Sequence, residues 1–131
     1  MKRALLALAL LGNGPLILPD APAGKAQVVF YRGSSLAGAA IPCTIFGENG
    51  GAITTMYRGK YTRVAVDPGP HAYAAKGDAV KINAEAGQTY YVSCSIGMGI
   101  MAGRAHVHLS NADEFTRKSN DMKEVLGVEG Q

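Results

Sequence analysis

Residues 64–75, VAVDPGPHAYAA, set two runs of alternating large and small side chains around Asp67-Pro68-Gly69-Pro70. Period-two alternation marks a half-buried strand. Pro68 presets φ near about −65°, and Gly69 takes the positive φ that follows in a type II turn. Pro70 has no N–H for a ladder, so pairing is expected to resume at His71. The reading is a strand, a tight turn and a second strand with Tyr73 on one face and Ala72 and Ala74 on the other. The turn then fixes the register of a hairpin, and His71 beside it is expected to be solvated.

The same signals recur along the chain. Residues 26–31 (AQVVFY), 41–46 (IPCTIF), 52–57, 61–66, 79–84, 89–96 (TYYVSCSI) and 105–110 read as further strands, divided by turns rich in Gly, Asn and Pro. No helical pattern falls between strands, which argues against a parallel α/β fold. The spacing predicts an all-β fold, a single sandwich of about seven or eight short antiparallel strands. One short helix is expected at the C-terminal end. Asn111 is placed to cap it, and Glu114 three residues later to complete a capping box. Phe115, Met122 and Leu126 fall roughly on one face.

The chain of 131 residues fits one domain. Met1-Lys2-Arg3 precedes the apolar run ALLALALL, and Ala21 and Ala23 are the small residues a signal peptidase reads. Residues 1–23 are therefore expected to be a signal peptide cleaved before Gly24, with residues 24–115 as the sandwich and 116–131 as C-terminal helix and tail. Gly12-Asn13-Gly14-Pro15 breaks the apolar run short of the ~20 residues of a membrane span. Export places the protein in the periplasm or at the cell surface. The net charge is +3, and the basic residues are scattered without a run or a basic helix, which disfavours a nucleic-acid partner. Two cysteines in an exported chain favour a Cys43–Cys94 disulfide. Each shares a strand face with apolar residues, so two buried free thiols are the alternative.

Four features stand in order: the strand VVFYR, the stretch VDPGPHAYAA, the pair AEAGQTYYV and the block GMGIMAGRAHVHL. This order resembles the bacterial family called domain of unknown function 2846. The resemblance implies an exported β-sandwich over about residues 24–115, in look prealbumin-like or immunoglobulin-like. Prealbumin-like modules of the PEGA type share a similar P-G-x-x-x-Y hairpin. Members of the resembled family are frequently lipoproteins, and this chain lacks the cysteine for that attachment. The resemblance brings no catalytic residue with it.

Candidate chemistry is sparse. His106 and His108 form H-x-H on one strand, and period two puts both imidazoles on one face, a spacing able to grip a metal ion. With Val107 and Leu109 expected in the core, that face is expected to be solvated. Met98, Ile100 and Met101 lie on a Gly-rich stretch and offer an adaptable apolar contact surface for a protein partner or a peripheral membrane contact. That stretch is followed by a strand, so no helix N-terminus is available to hold a phosphate. Tyr73 is a candidate for ligand stacking. Ser34, Ser35, Ser93 and Ser95 lack the setting of a nucleophile elbow, and no residue pattern asks for a cofactor. The expectation is a non-catalytic envelope module that binds a protein partner through residues 98–101 and 33–38. The alternative is a metal- or small-ligand-binding domain, or an enzyme, centred on His106 and His108.

Overall fold

β1 (Ala26–Arg32), AQVVFYR, is buried at every position. A strand of that kind belongs where both faces are covered. In the computed structural model, which describes residues 16–34, 40–98 and 103–125, β1 is the middle strand of a five-stranded sheet. β4 (Lys60–Val66) pairs with it antiparallel on one side. β7 (Thr89–Met98) pairs with it on the other, and there the two strands run parallel, with Arg32 opposite Cys94. β8 (Gly103–Ser110) follows β7 antiparallel, and the two-residue β9 (Lys123–Glu124) runs parallel to β4. This larger sheet therefore has the order β8-β7-β1-β4-β9. β2 (Cys43–Phe46), β3 (Ala52–Met56), β5 (Gly69–Ala74) and β6 (Ala79–Ala84) make the smaller one, in the order β3-β2-β5-β6. The all-β sandwich is as expected from the strand spacing, and a short helix follows β8 as the capping signal requires. The count is nine strands among the described residues, with the β1–β7 and β4–β9 pairings parallel where antiparallel ones were expected.

The DPGP stretch is not a hairpin turn. β4 belongs to the larger sheet and β5 to the smaller, so Asp67-Pro68 carries the chain from one sheet to the other. The Lys25 ammonium holds the Asp67 carboxylate at this crossing. Pairing resumes at Gly69 and not at His71, with Gly69 opposite Ala84. Gly69 has φ +128°, a value that only glycine takes without strain. The β5–β6 hairpin is closed by Ala75 N–H donating to the Asp78 carbonyl at 2.9 Å. Bonded pairs alternate from there, which puts Pro70 and its partner Asn83 at a non-bonded position. The missing N–H of Pro70 thus costs that ladder nothing.

Two apolar clusters follow from this layout. The first lies between the sheets and includes Phe30, Ile45, Met56, Tyr73, Val92 and Val107. Phe30 meets Tyr73 edge to face, with centroids 4.9 Å apart. The second lies on the opposite face of the larger sheet and joins Val29, Tyr31 and Tyr61 to Phe115 and Met122. Leu16 and Leu18, on the leader side of the expected cleavage, pack against it, while Ile17 between them is exposed.

α1 (Ala112–Lys118) starts where the capping signal places it: Asn111 Oδ1 accepts from Glu114 N–H at 2.8 Å. The reciprocal half of the capping box gives way to other partners, because the Glu114 carboxylate takes the Lys118 ammonium at 3.3 Å. Met122 joins Phe115 in the second cluster as expected, although it lies beyond the helix, and Leu126 lies outside the described residues. Asn111→Ala is expected to lower the unfolding free energy by about 1 kcal/mol. Urea titration of the variant against wild type measures it.

Candidate functional site

The two cysteines form the disulfide. Cys43 on β2 and Cys94 on β7 are bonded across the sandwich, with Cα atoms 6.6 Å apart and the sulfurs buried in the first cluster. The bond ties the smaller sheet to the larger beside the end at which β1 and β7 finish.

That shared end is where the loops emerge. Because β1 and β7 run parallel and adjacent, the chain leaves both at the same end of the larger sheet. It leaves β1 toward Gly33 and Ser34, and β7 at Met98. The contact residues expected from the sequence, Ile100 and Met101, lie outside the described residues, as does the side chain of Met98. Residues 35–39 lie outside them too. A hollow of about 120 Å³ opens at this end, lined by Arg32, Gly33, Ser93, Ser95, His108 and Lys118. Arg32 is 3% exposed and donates to the carbonyls of Ile41 and Met56. Burial lowers the pKa of this guanidinium.

His106 and His108 do share a face of β8, half-exposed, as period two requires. They do not share a partner. His106 Nδ1–H donates to Asp78 Oδ2 at 2.5 Å, in the β5–β6 turn. Its ring lies across β7 over Gly97, where a Cβ would stand 2.9 Å from His106 Cδ2. His108 Nε2 turns to Glu114 Oε2 on α1 at 3.6 Å. Among the described residues no group of three or more His, Cys, Asp or Glu converges on one point. The geometry supports two separate imidazole–carboxylate contacts rather than one chelate. In the sequence Asp78 stands in a turn and Glu114 at a capping position. No spacing rule links either to its histidine, since the contacts cross from one element to another.

Around His108 the polar groups serve packing. The Tyr31 phenol is hydrogen bonded to Ser110. Burial pushes its pKa up. Burial also raises the Glu114 carboxyl, but Lys118, Tyr31 and His108 outweigh this and hold it below its ordinary value.

Three expectations change. Leu109 is not in the core but 54% exposed. Near Ala105, β8 is tied to the smaller sheet by Gly77 N–H donating to Ala105 C=O at 3.4 Å. Toward Leu109 and Ile82 a groove of about 390 Å³ lies open, lined also by Tyr90 and Tyr91. His71 is half-buried rather than solvated. Its Nε2–H donates to the Asp67 carbonyl at 2.7 Å, and Nδ1 lies 3.4 Å from Glu48 Oε1. Tyr73 is a core residue, 5% exposed, and offers no stacking surface.

Burial, with the Glu48 charge adding to it, pushes the Tyr73 phenol up to about 12 from 10.0. Between those values the unfolded chain has lost the proton that the folded chain keeps. Stability from this group is therefore complete below about pH 10 and declines as pH rises toward about 12. Unfolding midpoints across that window should fall less steeply in Tyr73→Phe than in wild type.

These features define a small disulfide-pinned β-sandwich with a docked helix. Residues 22–118 match the family described as protein of unknown function, DUF2846, and the chain belongs to that family. No curated protein and no solved structure matches the chain.

Proposed function

We propose that this chain is an exported, non-catalytic β-sandwich module that binds a protein partner at the loop end of its larger sheet. The observation that carries this reading is the parallel pairing of β1 with β7. It brings the departure points of residues 33–38 and 98–101 to one end of the molecule, although they are far apart in sequence. The glycines and the apolar Met98, Ile100 and Met101 that these segments carry in sequence suit an adaptable contact surface. The disulfide beside that end supports an oxidising location. The separate engagement of His106 by Asp78 and of His108 by Glu114 favours a structural use of the two histidines.

The test is crosslinking in the native host with two variants. Met98→Ser with Ile100→Ser and Met101→Ser is expected to abolish capture of envelope proteins. His106→Ala with His108→Ala is expected to leave the captured set unchanged. The reverse pattern, together with stoichiometric zinc or copper in protein purified without an affinity tag, would replace this reading by the metal-site one.

A further inference from the structure

Two buried polar side chains on the helix side of the larger sheet face the backbone of residues 16–19. Gln27, 4% exposed, donates its Nε2–H to the Pro19 carbonyl at 3.1 Å. Ser119, 0% exposed, accepts the Leu16 N–H on Oγ at 3.1 Å and donates the same hydroxyl to the Thr116 carbonyl at 3.0 Å. Between these points Leu16 and Leu18 pack against the cluster that holds Phe115, Tyr31 and Met122, and Ile17 stands 94% exposed. In, out, in over three residues is the habit of an extended segment. The slot therefore reads a peptide at two backbone positions and by two apolar side chains two residues apart.

Residues 16–19 precede the cleavage expected before Gly24. A chain cut there loses the strap and keeps the slot. The Gln27 amide and the Ser119 hydroxyl then face it without these partners, and part of an apolar cluster meets water. Gln27 keeps the Thr89 hydroxyl at 3.3 Å and Ser119 keeps the Thr116 carbonyl, so the cost of cleavage lies in the apolar surface returned to water, which a matching segment from elsewhere relieves.

We propose that the processed chain uses this slot to dock an extended apolar segment of a partner protein, and that residues 16–19 of the leader hold the slot until cleavage. The occupant's chemistry follows from the strap: Leu-type side chains at positions one and three, a backbone N–H at the first for Ser119, and a carbonyl three residues later for Gln27. Proline is tolerated at that last position because only its C=O is used. The second position faces solvent and is free to vary. This goes beyond the loop-end reading and rests on the expected cleavage.

The test uses protein secreted by the native host, with its N-terminus read by intact mass, and a fluorescent peptide of residues 15–22. The chain is expected to begin at Gly24, to keep its sandwich by circular dichroism and to bind the peptide. A peptide carrying Leu16→Asp and Leu18→Asp should bind at least about tenfold more weakly. Ser119→Ala in the protein should weaken binding about fivefold. The unprocessed full-length chain should not bind. A secreted chain that retains Leu16 overturns the proposal. So do a processed chain that has lost its sandwich, absence of peptide binding to the chain beginning at Gly24, and equal binding by the unprocessed chain. Met98→Ser with Ile100→Ser and Met101→Ser should leave peptide binding unchanged, so the two surfaces fail separately.

Discussion

Cys94→Ala is expected to lose roughly 4 kcal/mol of unfolding free energy. The Cys43–Cys94 bond closes a loop with a sequence separation of 51 residues. A cross-link of that span removes chain entropy from the unfolded state worth roughly 4 kcal/mol. Small domains have only about 5–15 kcal/mol to lose. The variant should therefore show a large fall in urea midpoint. Wild type measured with reductant should fall in the same direction. Its urea m-value should rise in both cases, because an uncross-linked unfolded chain exposes more surface. Thiol titration of denatured, unreduced protein should find no free thiol. Two thiols per chain, or an unmoved midpoint, would show that the two sheets hold together without the bond.

Phe115→Ala should cost about 3–5 kcal/mol. Phe115 is 2% exposed, and its ring stands 5.1 Å from Tyr31, 5.6 Å from Tyr61 and 5.4 Å from Tyr91, centroid to centroid. Phe115 is the buried residue of a helix of seven residues. A helix that short has little stability of its own, so its order depends on that anchor. Hydrogen exchange distinguishes this from a general loss. Amides of α1 should exchange almost freely in the variant, while those of β1 keep protection up to the reduced global limit. Equal loss of protection in both would mean that the helix and the sandwich unfold as one unit. Phe115→Leu should restore most of the difference, since it keeps an apolar side chain in the site.

The strands were legible because each carries its own pattern. β6 alternates buried and exposed without a break, and its limits, residues 79–84, are those read from the sequence. β1 was legible too, although its burial on both faces was not, since nothing in AQVVFYR says that a helix will cover its second side. Pairing was the illegible part. A Pro-Gly pair between two strands has the same local chemistry whether the chain folds back in one sheet or crosses to the other, and the partners that decide are Ala84 and Asn83 on β6. Leu109 shows the same limit. Its alternation with Val107 is correct, but the smaller sheet does not cover that end of β8. For the candidate site, the shared face of His106 and His108 was legible. Their separate carboxylates were not, because Asp78 reaches His106 from a turn 28 residues earlier and Glu114 reaches His108 from the helix that follows the strand. Residues 16–19 were read as leader on composition, while their fit to Gln27 and Ser119 depends on residues at both ends of the domain.

The parallel register of β1 against β7 sets Gln27 opposite Thr89, a pairing 62 residues apart in sequence. The first strand to be synthesised thus acquires its second neighbour only after five others have been made. Until then one long apolar edge of the chain has no partner. Domains built on such distant pairings fold slowly, since loop closure must precede any reward from contact. An unpaired apolar strand waiting for its neighbour is the kind of segment that associates with other chains. Biogenesis of this domain is therefore governed by its last third: a product that stops before Thr89 holds a central strand with one side permanently open.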